Sequence, residues 1–197
     1  MTPQKLCSAA LTLAVVAAAA LVVALAVQKR SLLVQIEQAA VRARDPYPGF
    51  YVPAIDAETL AGDTVRVGEC APGRTQLLFV FATTCEHCRA SLPAWRRIAS
   101  ELSNEFGVEV YGISVDSVEA TRAFVTQHNL GFPVVSFVDP KLRALYRSGI
   151  VPQTVVLDAQ GMVNYARLGA VTENATVDSI LAHARATRTE SRPPGRS

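Results

Sequence analysis

Nowhere in this chain does a basic patch interleave with aromatic residues, which make up only 7% of it. The formal charge is +2, and the one arginine-rich region is the C-terminal "ARATRTESRPPGRS". That tail (187–197 at its core) is polar and carries prolines, a composition that reads as disordered. Nucleic acid is therefore not expected as a partner. Histidine is scarce, with 3 residues, and so is cysteine, with 4. A structural zinc site needs a full tetrahedral set of ligands. Cys7 lies in an apolar segment and His128 closes a separate helix, so Cys70 is the only recruit for the pair Cys85 and Cys88. No metal site is expected. No internal repeat is visible.

Charge is also missing from Leu6 to Val27, a run of 22 residues, "LCSAALTLAVVAAAALVVALAV". As a helix it would span about 33 Å, enough for a hydrocarbon core of roughly 30 Å. It exceeds the apolar region of an ordinary signal peptide, about 7 to 15 residues. Ala24-Leu25-Ala26 has the small-x-small form of a cleavage site, so a cleaved signal stays open beside the favoured reading, an uncleaved anchor over 1–27. Lys5 precedes the span, whereas Lys29, Arg30, Arg42 and Arg44 follow it. The positive-inside rule would leave the rest of the chain in the cytoplasm. The cysteine chemistry argues for the outer side and is given the greater weight.

The remaining pattern alternates strands and helices. Apolar residues at 32, 33, 36, 40 and 41 continue a helix as a stalk, which "DPYPG" (45–49) breaks. Residues 28–49 are thus a stalk or linker, and the folded domain is expected over 50–186. Alternation on either side of "AGD" predicts a β-hairpin. "QLLFVFA" (76–82) is a continuous apolar run, as in a strand buried on both faces. Helical spacing follows over 86–106, then a buried strand at 108–116. Next comes a helix with Ser117 as its cap and Gly131 just past its end. "FPVVSFVD" is a strand and "PKLRALYRSG" a short helix opened by Pro140. "QTVVLD" and "MVNYARLG" are strands, and "TVDSILAHARA" is a final helix. The order is α/β, with a parallel centre and an antiparallel edge.

Within "FVFATTCEHCRASLPAW" (79–95), Cys85 falls where a buried strand gives way to a helix, the place where sites form in α/β sheets. Unpaired N–H groups and the macrodipole of a helix start favour an anion, by about 0.3–1 kcal/mol. Cys85 is therefore expected to attack as a thiolate, and Cys88, one turn in and more shielded, to resolve the mixed disulfide. A buried inert pair and half a metal site are the competing readings. Trp95 and Tyr111 read as core aromatics, and Cys70 as a half-buried apolar-like cysteine.

"VPAIDAETLAGDTVRV", "LLFVFATTCEHC" and "SGIVPQTVVLDAQGMVNYARLG" together resemble the TlpA/ResA-like thiol–disulfide oxidoreductases of the thioredoxin superfamily, over about residues 50 to 185. The resemblance implies a thioredoxin-like fold, a central mixed sheet flanked by helices, with an N-terminal β-hairpin and a preceding transmembrane helix. It implies a redox-active Cys85–Cys88 disulfide and a cis Val151–Pro152 bond facing the cysteines. It places Pro93 where the superfamily often kinks the first long helix. Three positions depart from the pattern. Thr84 stands where the family often has Trp, Phe79 where thioredoxins carry a buried acid, and Ser91 where ResA-like reductases have a glutamate. The usual proton acceptors of a reductase are thus absent. Glu86 and His87, between the cysteines, are expected to tune the couple, His87 toward oxidation.

The implied partners are protein thiol or disulfide clients and a redox partner, outside a bacterial cytoplasmic membrane or in the periplasm. Such clients include an apocytochrome in cytochrome c maturation, another oxidoreductase or a copper-site protein. No cofactor is implied, since the electrons pass through the cysteines. A peroxiredoxin would need P-x-x-x-[ST]-x-x-C, but Leu78 and Ala82 occupy those places before Cys85, and Phe81 and Cys85 before Cys88. A copper chaperone could use two thiolates, but those of this fold carry a wider C-x-x-x-C spacing and a distant histidine.

Overall fold

The computed structural model describes residues 3–103 and 105–190 and divides into two units, Met1–Ala43 and Arg44–Ser197. In the first, helix α1 (Pro3–Arg44) contains Val16–Ile36, a stretch long and apolar enough to cross a membrane, with mean hydropathy 1.7. Leu32, Leu33, Val34 and Ile36 carry this apolar stretch beyond Val27, where the expected anchor ends, and past Lys29 and Arg30.

The second unit begins where Pro46 and Pro48 end the helix. Residues 45–49 are more than a spacer, because the Gly49 N–H donates to the Val163 carbonyl and the Val163 N–H to that of Phe50, both at 2.8 Å. The Arg147 guanidinium sits over the rings of Tyr47 and Phe50, at 5.2 and 4.1 Å from their centroids.

Strands β1 (Ile55–Glu58) and β2 (Thr64–Val67) form the expected hairpin. There follow β3 (Thr75–Phe81), α2 (Glu86–Leu102), β4 (Val108–Ser114) and α3 (Val118–His128). The chain continues with β5 (Val134–Ser136), α4 (Pro140–Leu145), β6 (Gln153–Leu157), β7 (Val163–Leu168) and α5 (Asn174–Glu190). The main sheet has the order β5-β4-β3-β6-β7, with β3, β4 and β5 parallel, β6 antiparallel to β3 and β7 antiparallel to β6.

This arrangement explains the unbroken apolar run of β3, all of whose residues are buried. As the central strand it serves two cores at once. Leu77, Phe79 and Phe81 pack with Trp95, Ile98 and Leu102 of α2, Phe124 of α3 and Ile180 of α5. Leu78 and Val80 point the other way, to Ile113, Phe137 and Tyr146. A fully buried aliphatic or aromatic side chain contributes about 1.5–3 kcal/mol, so β3 is the most heavily anchored strand.

Two local expectations shift. Helix α3 is closed by Asn129 in the left-handed region (φ 47), ahead of Gly131; asparagine tolerates that conformation because its short polar side chain bonds locally. Helix α5 runs to Glu190 with Thr187 buried, so it extends into the region expected as tail; residues 191–197 lie outside the described ones.

Candidate active site

The turn from Ala82 to Cys85, closed by the Cys85 N–H donating to the Ala82 carbonyl at 3.2 Å, carries the chain from the centre of the sheet into α2. It makes Cys85 the N-cap of that helix, a place usually held by an oxygen-bearing side chain that accepts from the first turn. Here sulfur does so: Cys85 Sγ accepts from the Cys88 N–H at 3.2 Å. An N–H aimed at sulfur from a helix start is suited to a thiolate.

The two sulfurs are unequal. Cys85 is half-buried, whereas Cys88 is 0% exposed, and both are free thiols. Burial first, and the side-chain contact with Cys85 second, push the Cys88 thiol well above its ordinary range. The pair therefore combines a reachable sulfur with a shielded one behind it.

Across from this pair lies the loop that enters β6. The Val151–Pro152 bond is cis, and the Val151 carbonyl oxygen is 4.0 Å from Cys85 Sγ. Thus Cys85, Cys88, Val151 and Pro152 come together from two distant segments. Glu86 and His87 occupy the first turn of α2 with exposed side chains.

The two positions where the resemblance leads one to expect an acid, 79 and 91, hold none. Phe79 is fully buried and stacks on Trp95, ring centroids 5.0 Å apart. Ser91, also 0% exposed, donates to the His87 carbonyl at 2.9 Å and accepts from the Val171 N–H at 3.0 Å. It ties the loop before α5 to the active-site helix, a role its small side chain did not reveal. Trp95 is a core residue whose indole N–H donates to Thr154 at 3.2 Å, and Tyr111 is buried. Cys70 precedes β3 and so lies at the other end of that strand from Cys85. Burial, and then the charge of Glu109, push its thiol up to about 11. Among the described residues no group of three or more His, Cys, Asp or Glu side chains is placed to hold a metal ion.

A model of the AhpC/TSA family matches residues 45–166. The chain belongs to the AhpC/TSA family. It is 29% identical over 132 residues to the thiol-disulfide oxidoreductase ResA of Oceanobacillus iheyensis, covering 66% of this chain and 67% of that one. It is 27% identical over 150 residues to the thiol:disulfide interchange protein DsbE of Pseudomonas fluorescens, covering 75% and 79%. Among solved structures, StoA from Bacillus subtilis superposes with a TM-score of 0.58 at 16% identity, covering 69% of this chain and 98% of that one. That likeness establishes the thioredoxin-like fold, with the AhpC/TSA domain carrying its two cysteines at the start of α2.

Proposed function

We propose that this protein is a membrane-anchored thiol–disulfide oxidoreductase that exchanges disulfides with protein clients through Cys85 and Cys88. The observation that carries the reading is a half-exposed sulfur capping a helix, with a buried sulfur one turn behind it. In the reducing direction the Cys85 thiolate attacks a client disulfide, forming a mixed disulfide and releasing one client thiolate. Cys88, once deprotonated, attacks Cys85 Sγ, closes the Cys85–Cys88 disulfide and releases the second client thiolate. Two electrons pass to the client, and the reverse sequence oxidises it. Val151 and Pro152 form the wall against which the client chain lies, while Glu86 and His87 set the local charge. Residues 1–27 serve as the anchor and 28–49 as a stalk whose end packs on the catalytic domain. That domain works on the outer side of the membrane, where disulfides persist. The names of the ResA and DsbE relatives support the same chemistry.

The deciding experiment uses the full chain in detergent with a disulfide-bonded client. Cys88→Ser should accumulate a mixed disulfide through Cys85, and Cys85→Ser should trap nothing. Unchanged exchange by Cys88→Ser would refute these roles. Peroxide consumption or tight Cu(I) binding without disulfide exchange would replace the reading by a peroxidase or a copper chaperone.

A further inference from the structure

The turn that delivers Cys85 is held from a neighbouring strand. Asp116, just past the end of β4, accepts two hydrogen bonds on a single carboxylate oxygen. The Thr83 N–H donates at 2.6 Å and the Thr83 hydroxyl at 2.7 Å. Thr83 belongs to the same turn as Cys85, and its carbonyl accepts from the Arg89 guanidinium at 3.4 Å. Arg89 directly follows Cys88 on α2.

The backbone of Asp116 is itself fixed on two sides. Its N–H donates to Ser114 Oγ at 3.3 Å, and its carbonyl accepts from the Ser136 hydroxyl at the end of β5. Ser114 in turn accepts from the Thr121 hydroxyl of α3 at 2.7 Å. A hydroxyl and carboxylate network on β4, β5 and α3 thus ends on the residue that shapes the mouth of the dithiol.

We propose that Asp116 is a positioning residue for disulfide exchange, clamping the Ala82–Cys85 turn so that Cys85 Sγ keeps its place before the Cys88 N–H and the Val151 carbonyl. The proposal rests on the reading of Cys85 and Cys88 as the reacting pair. During a cycle, Cys85 Sγ is bonded in turn to a proton, to client sulfur and to Cys88. Each transfer requires the attacking and leaving sulfurs to align, and a fixed backbone two residues upstream keeps that alignment while the bonds change. Because one oxygen takes both Thr83 donors, the carboxylate acts through the turn and touches no sulfur.

The test follows glutathione disulfide reacting with the reduced full chain, at a temperature where circular dichroism shows every variant folded. Asp116→Ala should slow the exchange by about tenfold, the scale of a small misplacement at a reacting centre. Asp116→Asn, whose side-chain carbonyl can accept from both Thr83 donors, should keep wild-type speed. Thr83→Val, which loses only the hydroxyl donor, should fall between them. An Asp116→Ala rate equal to wild type, or an Asn variant as slow as the Ala variant, overturns the proposal. If Asp116→Ala does not fold, Thr83→Val decides alone, and a wild-type rate there overturns it. A wild-type chain inert toward both glutathione disulfide and a protein disulfide would instead overturn the dithiol reading, and this inference with it.

Discussion

At Cys88, burial keeps water away from a thiol that must lose its proton once in every cycle. Burial is the larger cause of its raised pKa and does not depend on the state of Cys85. No carboxylate stands at Phe79 or Ser91 to take the proton, so the thiolate fraction is expected to follow bulk pH. Only the thiolate attacks. Below the pKa of a thiol its thiolate fraction rises about tenfold per pH unit, and Cys88 is shifted above its ordinary value, so the whole neutral range lies below it. Client release from a mixed disulfide at Cys85 should therefore quicken by about tenfold per unit between roughly pH 6 and pH 8. Quenched-flow measurement of release over that range checks this; a flat profile would mean that a nearby group accepts the proton. Cys70 is raised too, to about 11, but it lies at the far end of β3 from the dithiol, where a protonated thiol behaves as a small apolar residue.

Helix α2 concentrates most of the site's chemistry, and its first two turns can be dissected by substitution. Ser91→Ala removes the hydroxyl that accepts from the Val171 N–H, leaving a buried donor without its partner. Such a loss costs about 1–3 kcal/mol, and denaturant unfolding should register a drop of that size. His87→Pro retains a backbone suited to the first turn of a helix while removing a group able to carry positive charge beside Cys85. The dithiol should become more reducing, by about 30 mV for an interaction of roughly 1.4 kcal/mol. Equilibration with a glutathione buffer measures the change, and a potential that rises or stays put would leave His87 a plain solvated residue. The position of the dithiol was readable because local pattern governs it: an apolar run, a cysteine at the cap, then an amphipathic helix. The hydroxyl and carboxylate contacts were not, because Ser91 meets Val171 and Asp116 meets Thr83 across separations of 80 and 33 residues. Those pairings follow from strand order, which periodicity alone does not specify. The end of α3 shows a smaller version of the same gap, since glycine drew the expected cap two places beyond the asparagine that makes it.

On the scale of the whole molecule, the start of the catalytic domain is set by Arg147 rather than by the prolines. The sequence pattern put the first folded residue at Phe50, because "DPYPG" looks like a pure breaker. Tyr47 and Phe50 instead offer two rings to one guanidinium, which also donates to the Asp45 carbonyl at 3.3 Å. The Arg147 carbonyl accepts from the Gln153 amide at 2.9 Å, so the residue that grips the stalk end is also tied to the strand that follows Pro152. A chain begun at residue 51 loses both ring contacts and the two backbone bonds, the one that Gly49 donates to Val163 and the one that Phe50 accepts from Val163. A cation–π contact is worth about 0.5–2 kcal/mol, and a backbone hydrogen bond adds a net 0.5–1.5 kcal/mol or so. The domain begun at residue 51 should therefore be less stable than one begun at residue 45 by about 2–7 kcal/mol. Arg147→Ala in the longer version should reproduce part of that loss and no more, because the backbone bonds survive it. Urea unfolding of the three proteins tests the ledger directly. Equal midpoints for the two start sites would show that residues 45–50 contribute nothing to the domain, and the stalk would then end where the helix does.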